Sequence, residues 1–409
     1  MKSKKARIRD AKTGNDKKKS MHYLLMHLLK AMPVIIAVSI ITFLMQQMGW
    51  LWGFETSFLD TWLLLKKPLS AHNTIIVDIT DDDYKQIFKE TSPLDPSVLW
   101  ELINATALGQ PELICVDIDT SSSRFREFSP SPDWPPVIWA QGAHLLQNNP
   151  GSHLVRSGES LFYPENVLGG VIRKPEILSG IALIPLDTDR SIRQFRKTFN
   201  TPDGPADSFL WAIVKEFKKK ISGHNTKDVK HNENEKIIIN FVANRYDFLR
   251  LRAGDVIKVS KSEGWKNQSP VRGKIALIGG TYKAARDEHL TPVGIMAGIE
   301  IITNAVEADL QGRSIHHSNE ILMLILELLC GIFIVILHHK LNLRAALTFS
   351  LVLIPFIALS CSFFTFSSFA LWGNFIPILV AVLIHQMYDH AVLYRRMNEA
   401  LNAKLKNNE

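Results

Sequence analysis

Residues Met32 to Trp52 (MPVIIAVSIITFLMQQMGWLW) form a run of about 21 positions without a charge. A helix of that length covers a hydrocarbon core of roughly 30 Å at about 1.5 Å per residue. The run is longer than the apolar core of a cleavable signal peptide and ends in bulky residues rather than a small-residue cleavage site, so an uncleaved signal anchor is predicted. Three further spans close the chain: Ile321 to Leu337, Ala345 to about Phe364, and about Ala370 to Met387. Trp50, Trp52 and Trp372 stand near span ends, where amphipathic rings settle at headgroup depth. Glu327 lies inside the second span. An acid there reads as a proton relay or as an interhelical hydrogen bond, and a single acid without repeated polar positions favours the hydrogen bond.

Between the first and second spans the pattern changes. Short β-branched runs (Ile75 to Ile79, Leu113 to Ile118, Val137 to Ala140, Ile181 to Leu186, Lys236 to Phe241, Lys274 to Gly279) read as strands. They alternate with helical periodicity at Pro96 to Leu108, around Ala206 to Lys220, and at Gly294 to Leu310. Near-continuous apolar strands separated by helices predict a mostly parallel sheet covered on both faces, an α/β domain. Ser191 to Phe199 alternates instead and predicts an antiparallel hairpin turning at Asp203-Gly204. Pro130 to Pro136, Asn148 to Gly158 and Gly223 to Glu235 read as loops.

Charge sets the orientation. Of 409 residues, 47 are Lys or Arg and 40 are Asp or Glu, a net +7. The segments 1–30, 338–344 and 389–409 carry 16 basic and five acidic residues, whereas 31–318 carries 31 and 33. The surplus therefore flanks the apolar runs, which argues against nucleic acid as a partner and for both termini inside. The predicted organisation is a basic cytoplasmic tail (1–30), a transmembrane signal anchor (31–52), an extracytoplasmic domain (53–318), three transmembrane helices (319–388) and a short cytoplasmic tail (389–409). Cys115, Cys330 and Cys361 have neither disulfide nor metal spacing.

The candidate chemistry is a set of aspartates at predicted strand ends: Asp78 with Asp81 to Asp83, Asp117 with Asp119, Asp187 with Asp189, and Asp287. Ligands of parallel α/β sheets bind outside the carboxyl ends of the strands. Carboxylates converging there suit a divalent cation or acid–base hydrolysis. They equally suit helix capping and Asx turns, the favoured reading for Asp81 to Asp83. Asp117-Ile118-Asp119-Thr120 does not match an aspartyl-phosphate motif, and Gly279-Gly280-Thr281 reads as a tight turn rather than a phosphate cradle.

Four stretches resemble the bacterial CHASE-type extracellular sensor domains, second subclass: TIIVDITDDDYKQIF, PELICVDIDT, ALIPLDTDRSIRQF and KIALIGGTYKAARDEHLTPVGIMAGIEIITNAVEADLQGR. The last carries the family-like landmarks Gly279, Asp287, Thr291, Pro292, Gly298, Glu300 and Asn304, and the third places Arg190 and Arg193 in matching positions. The resemblance covers roughly residues 56–390. It implies a non-enzymatic sensor or scaffold of the bacterial inner membrane with its large domain in the periplasm. Ligand contacts would come from Asp78, Asp81, Asp117, Asp119 and Asp287, with Arg190 as an anion contact. Family members usually continue into a kinase or cyclase. This chain stops about 20 residues past the last span, so a separate cytoplasmic or membrane effector is expected. The lipid bilayer and a homo-oligomer complete the expected partners. No catalytic residue and no cofactor is assigned, a divalent cation being the alternative. The competing functions are a membrane-anchored, metal-dependent extracytoplasmic hydrolase and a structural subunit of an envelope complex.

Overall fold

The computed structural model describes residues 2–67, 70–145, 162–170, 177–222, 236–241 and 247–406. The chain divides into two compact units, residues 63–316 and residues 1–62 with 317–409. The expected loops at Asn148 to Gly158 and Gly223 to Glu235 lie outside the described residues.

Residues 63–316 are built on a six-stranded sheet. Its strands are β1 (Thr74–Ile79), β2 (Leu113–Asp117), β3 (Val137–Gln141), β4 (Leu178–Ile181), β5 (Arg250–Arg252) and β6 (Ile275–Gly280). The order is β5-β1-β6-β2-β3-β4, and every pairing is parallel. Alternation along the central strands sends Ile75, Val77, Ile79, Ile114, Val116, Ala276 and Ile278 to one face. There they pack with Leu99, Leu102 and Ile103 of the Pro96–Leu108 helix and with Val256 and Trp265. The Phe209–Ser222 and Gly298–Leu310 helices cover the other face. Both faces being buried explains the unbroken apolar runs.

The Gly298–Leu310 helix is buried from end to end except at Leu310, although it carries Glu300, Asn304, Glu307 and Asp309. Buried charges persist only with partners, and each of these acids has them. Glu300 pairs with Arg250 and accepts from Ala297 N–H at 2.7 Å. Asp309 pairs with Lys218 at 2.8 Å and Lys197 at 3.4 Å. Glu307 accepts from the backbone N–H of His72 and of Asn73, from Asn73 Nδ2, from Thr74 Oγ1 and from Gln311 Nε2. It thus pins the chain just before β1 to the helix C-terminal half. Glu307→Gln leaves one acceptor oxygen and puts an NH2 donor where the other oxygen accepted. We expect it to lower the stability of residues 63–316 by about 1–2 kcal/mol, the difference between charge-assisted and neutral hydrogen bonds. Denaturant melts of the full chain check this, and an unchanged midpoint would contradict it.

Four details depart from the sequence-based reading. The strand expected over Ile181 to Leu186 is Leu178–Ile181. Lys236–Ile238 lies off the main sheet, antiparallel to Gln194–Arg196. Its place is taken by Arg250–Arg252, whose two arginines hide a three-residue edge strand from apolar patterning. Gly294–Ala297 is a strand, paired antiparallel with Glu288–Thr291, so the last helix starts at Gly298. A hairpin turning beside Asp203-Gly204 is present, but the stretch expected as its first arm is divided: Gln194–Arg196 pairs with Lys236–Ile238, and the arm itself is Thr198–Thr201, against Gly204–Asp207.

Among the described residues of the second unit, four helices are long and apolar enough to cross a membrane: Leu28–Gln47, Glu320–Lys340, Arg344–Phe369 and Ile376–Leu405. Ile36, Ile40, Leu44, Leu322, Leu329, Phe356 and Leu383 are exposed on them, as lipid-facing side chains would be. The first, second and fourth pack on one another. Thr42 Oγ1 of the first donates to Glu327 Oε1 of the second at 2.5 Å, the interhelical hydrogen bond expected of that acid. Ser350 of the third accepts from Gln386 Nε2 of the fourth at 2.6 Å.

Candidate functional site

The carboxyl ends of β1, β6 and β2 lie side by side, and register decides what they present. Asp78 and Asp117 are both paired with Gly279, one on each side. Registered residues of parallel strands point to the same face, so the two carboxylates flank a position without a side chain, toward the start of the Gly298–Leu310 helix. A Cβ at Gly279 would meet Ile299 at 2.8 Å, so only glycine lets that helix approach.

Asp78 is buried. It accepts from Thr281 Oγ1 at 2.8 Å, and Arg250 Nη1 lies 3.6 Å from its other oxygen. Burial raises its pKa, and the Thr281 hydrogen bond and Arg250 oppose that rise. Arg250 joins Asp78 to Glu300, forming an acid–base–acid chain from β1 to the helix. Asp117 is half-buried. Burial, and then the negative charge of Asp287, push its carboxyl up to about 7. Asp287 accepts from Gly298 N–H at 3.1 Å and contacts His289 Nε2 at 2.8 Å, which raises the pKa of His289.

The remaining expected site residues have other surroundings. Asp81 is exposed at the first position of the Asp81–Gln86 helix and accepts from Lys283 N–H at 2.8 Å. The cap of that helix is Thr80, in a reciprocal box with Asp83. Asp119 is exposed and closes an Asx turn on Ser121 N–H at 2.8 Å. Arg190 is exposed, with a left-handed φ of 64°, in the turn from Asp187 to Ser191. Arg193, four residues after Asp189, is the buried member of that motif. It binds both oxygens of Asp189, at 2.9 and 2.8 Å, and Asp187 at 3.1 Å. The Arg193 bond, above other causes, holds Asp189 down to about 2.

The structure therefore brings Asp78, Asp117 and Asp287 to one place, ties Asp81 to its rim through the 281–283 turn, and leaves Asp119 and Arg190 on exposed loops. Tyr84 and Tyr282 stack there with ring centroids 4.4 Å apart. Beside them a cleft of about 240 Å³ is lined by Thr281, Tyr282, Lys283, Arg286 and Asp287 among others. Among the described residues, no group of three or more His, Cys, Asp or Glu side chains is placed to hold a metal ion. Sequence reading missed Arg250 and Thr281 as members of the cluster. Neither carries a local signal, since each is defined by a partner about 170 or 200 residues away in the chain.

A protein-family model described as CHASE2 domain matches residues 34–337, about three-quarters of the chain. No curated protein and no solved structure matches.

Proposed function

The chain belongs to the CHASE2 domain family, whose domain is a sensory extracellular module, and on that premise we propose that it is a membrane sensor whose external domain binds a small ligand or an envelope partner at the strand ends around Asp78, Asp117 and Asp287. The closing spans pass this to a separate effector protein. The observation that carries the reading is the Asp117 carboxyl. It sits at the end of a central strand beside a second acid, and burial and that acid bring its titration to about 7. Perturbed carboxyls at strand ends are where binding free energy is readily coupled to a change of charge. The charge distribution supports a bacterial inner-membrane location with both termini cytoplasmic. On that topology an impermeant thiol reagent reaches Asp133→Cys in intact cells and Asn398→Cys only after lysis. Reaction of Asn398→Cys in intact cells would overturn it.

The functional test uses the full chain in mild detergent. Small-molecule fractions of the envelope are screened for a rise in unfolding temperature, the signature of a ligand selective for the folded state. The rise should disappear in Asp117→Asn and Asp287→Asn while the circular dichroism spectrum is retained. Hydrolytic turnover lost in the same variants would instead favour an enzyme.

A further inference from the structure

Residues 1–62 and 317–409 hold a second cavity, of about 240 Å³, unrelated to the strand-end site. It lies where the first span ends, the second begins and the fourth begins. Three glutamates line it: Glu327, Glu320 and Glu55. Glu327 and Glu320 are seven residues apart on one helix, so the cavity runs about 10 Å along the second span. Apolar and aromatic walls come from Phe43, Met323, Leu324 and Trp372, and His317 stands on the rim. Among the described residues, no lysine or arginine lines the cavity.

Each feature narrows the occupant. A carboxylate at membrane depth is expensive unless a positive charge or a proton compensates it, and Glu327 is only 5% exposed. Thr42 supplies a hydroxyl donor to it and Asn374 supplies an amide donor, at 2.7 Å, to Glu55. Neither donor brings a charge. A bare metal ion does not fit, because the acids are too dispersed to hold one. Anions are repelled by the three glutamates. The space has room for more than a bare ion, and its walls combine the neutral polar groups of Gln46, Ser318 and Asn374 with apolar and aromatic surface. Trp372, held edge-on to Phe366 with centroids 6.1 Å apart, is the ring type that attracts cations best.

We propose that this cavity binds a small organic cation, a protonated amine on an aromatic or short aliphatic body. The ammonium would sit toward Glu327 and Glu55, and the body against Phe43, Met323 and Trp372. Such a ligand would touch the first, second and fourth spans, which pack on one another. This goes beyond the sensor reading of the external domain and does not depend on it.

Equilibrium dialysis of radiolabelled 2-phenylethylamine against the full chain in phosphatidylcholine nanodiscs, at neutral pH and with empty nanodiscs subtracted, tests the proposal. Saturable binding at one site per chain is expected, with 2-phenylethanol at least tenfold weaker as a competitor and phenylacetate weaker still. Glu327→Gln keeps an acceptor for Thr42 and should weaken the amine at least tenfold. Glu55→Gln should weaken it several-fold and serves if Glu327→Gln fails to assemble. The proposal fails if the alcohol competes as well as the amine, if binding matches empty nanodiscs, or if a folded glutamate variant retains full affinity.

Discussion

Replacing Arg250 by methionine is expected to destabilise the external domain by about 3–5 kcal/mol, the range for removing one partner of a buried ion pair. The guanidinium is 22% exposed, while Glu300 is fully buried and the Asp78 side chain only 9% exposed. Methionine fills much of the volume of the arginine stem but supplies no donor. Glu300 would then lose its cation on a helix buried along almost its whole length, and Asp78 would lose the charge that opposes its burial. The effect should be non-additive with Glu300→Gln. Once Arg250 is gone, neutralising Glu300 removes the uncompensated charge and should recover part of the loss. Denaturant unfolding of the two single variants and the double variant measures the coupling. A loss below about 1 kcal/mol in Arg250→Met would show that water or another group satisfies both acids.

Asp117→Asn is expected to act in the opposite direction and to depend on pH. The carboxyl is raised from 3.8 to about 7 in the folded protein. Below about pH 4 it is neutral whether the chain is folded or not, and it contributes no penalty. As pH rises toward 7 the unfolded chain releases the proton first, so stability falls, and above 7 the full penalty persists. At about 1.36 kcal/mol per pH unit the whole displacement amounts to ~4 kcal/mol. The residue is half-buried, so solvent screening reduces this, and we expect Asp117→Asn to gain about 2 kcal/mol at pH 8 and nothing at pH 4. His289 adds to the same trend. Its raised pKa gives stability that is complete below about 6.5 and lost as pH climbs through the folded value. Asp189, held at about 2 by Arg193, contributes in the other direction but only below pH 4. The difference between wild type and Asp117→Asn, taken at pH 5 and at pH 8, therefore separates Asp117 from His289 and from the other groups with shifted pKa values, such as Lys66, which burial lowers to about 8. Equal melting points for wild type and Asp117→Asn at pH 8 would remove the basis for this assignment.

The family-like landmarks divide in an instructive way. Gly279 and Gly298 are close-approach positions, since a Cβ at the first meets Ile299 and at the second meets the Asp287 carboxylate. Glu300 is a buried partner of Arg250, and Asn304 donates to the Glu300 carbonyl at 3.1 Å. Thr291 closes the Thr291–Gly294 turn by donating to the Gly294 carbonyl. These residues build the platform, whereas Asp287 lines the cleft beside it and Asp117 lies close enough to feel the charge of Asp287. Likewise the Asp187–Asp189 pair serves the buried Arg193, and it is Arg190 that stays exposed.

The net +7 and the four apolar runs were legible without coordinates, because span length and flanking charge are local properties that a bilayer reads residue by residue. The parallel α/β class was legible for a similar reason. Burial on both faces forces β1, β2 and β6 to be apolar at successive positions. Strand order was not legible, nor was the exchange of Lys236–Ile238 for Arg250–Arg252 at the sheet edge, since hydrogen-bonded neighbours far apart in the chain leave no periodic trace. The cluster depended on the same information. Only the register that sets Asp78 and Asp117 on either side of Gly279 separates these acids from Asp119, which looks identical in sequence and ends in an exposed Asx turn. The chain alone specifies which segments enter lipid and which form strands; which carboxylates meet is decided by pairing across the sheet, where a shift of one residue would turn each of them to the opposite face.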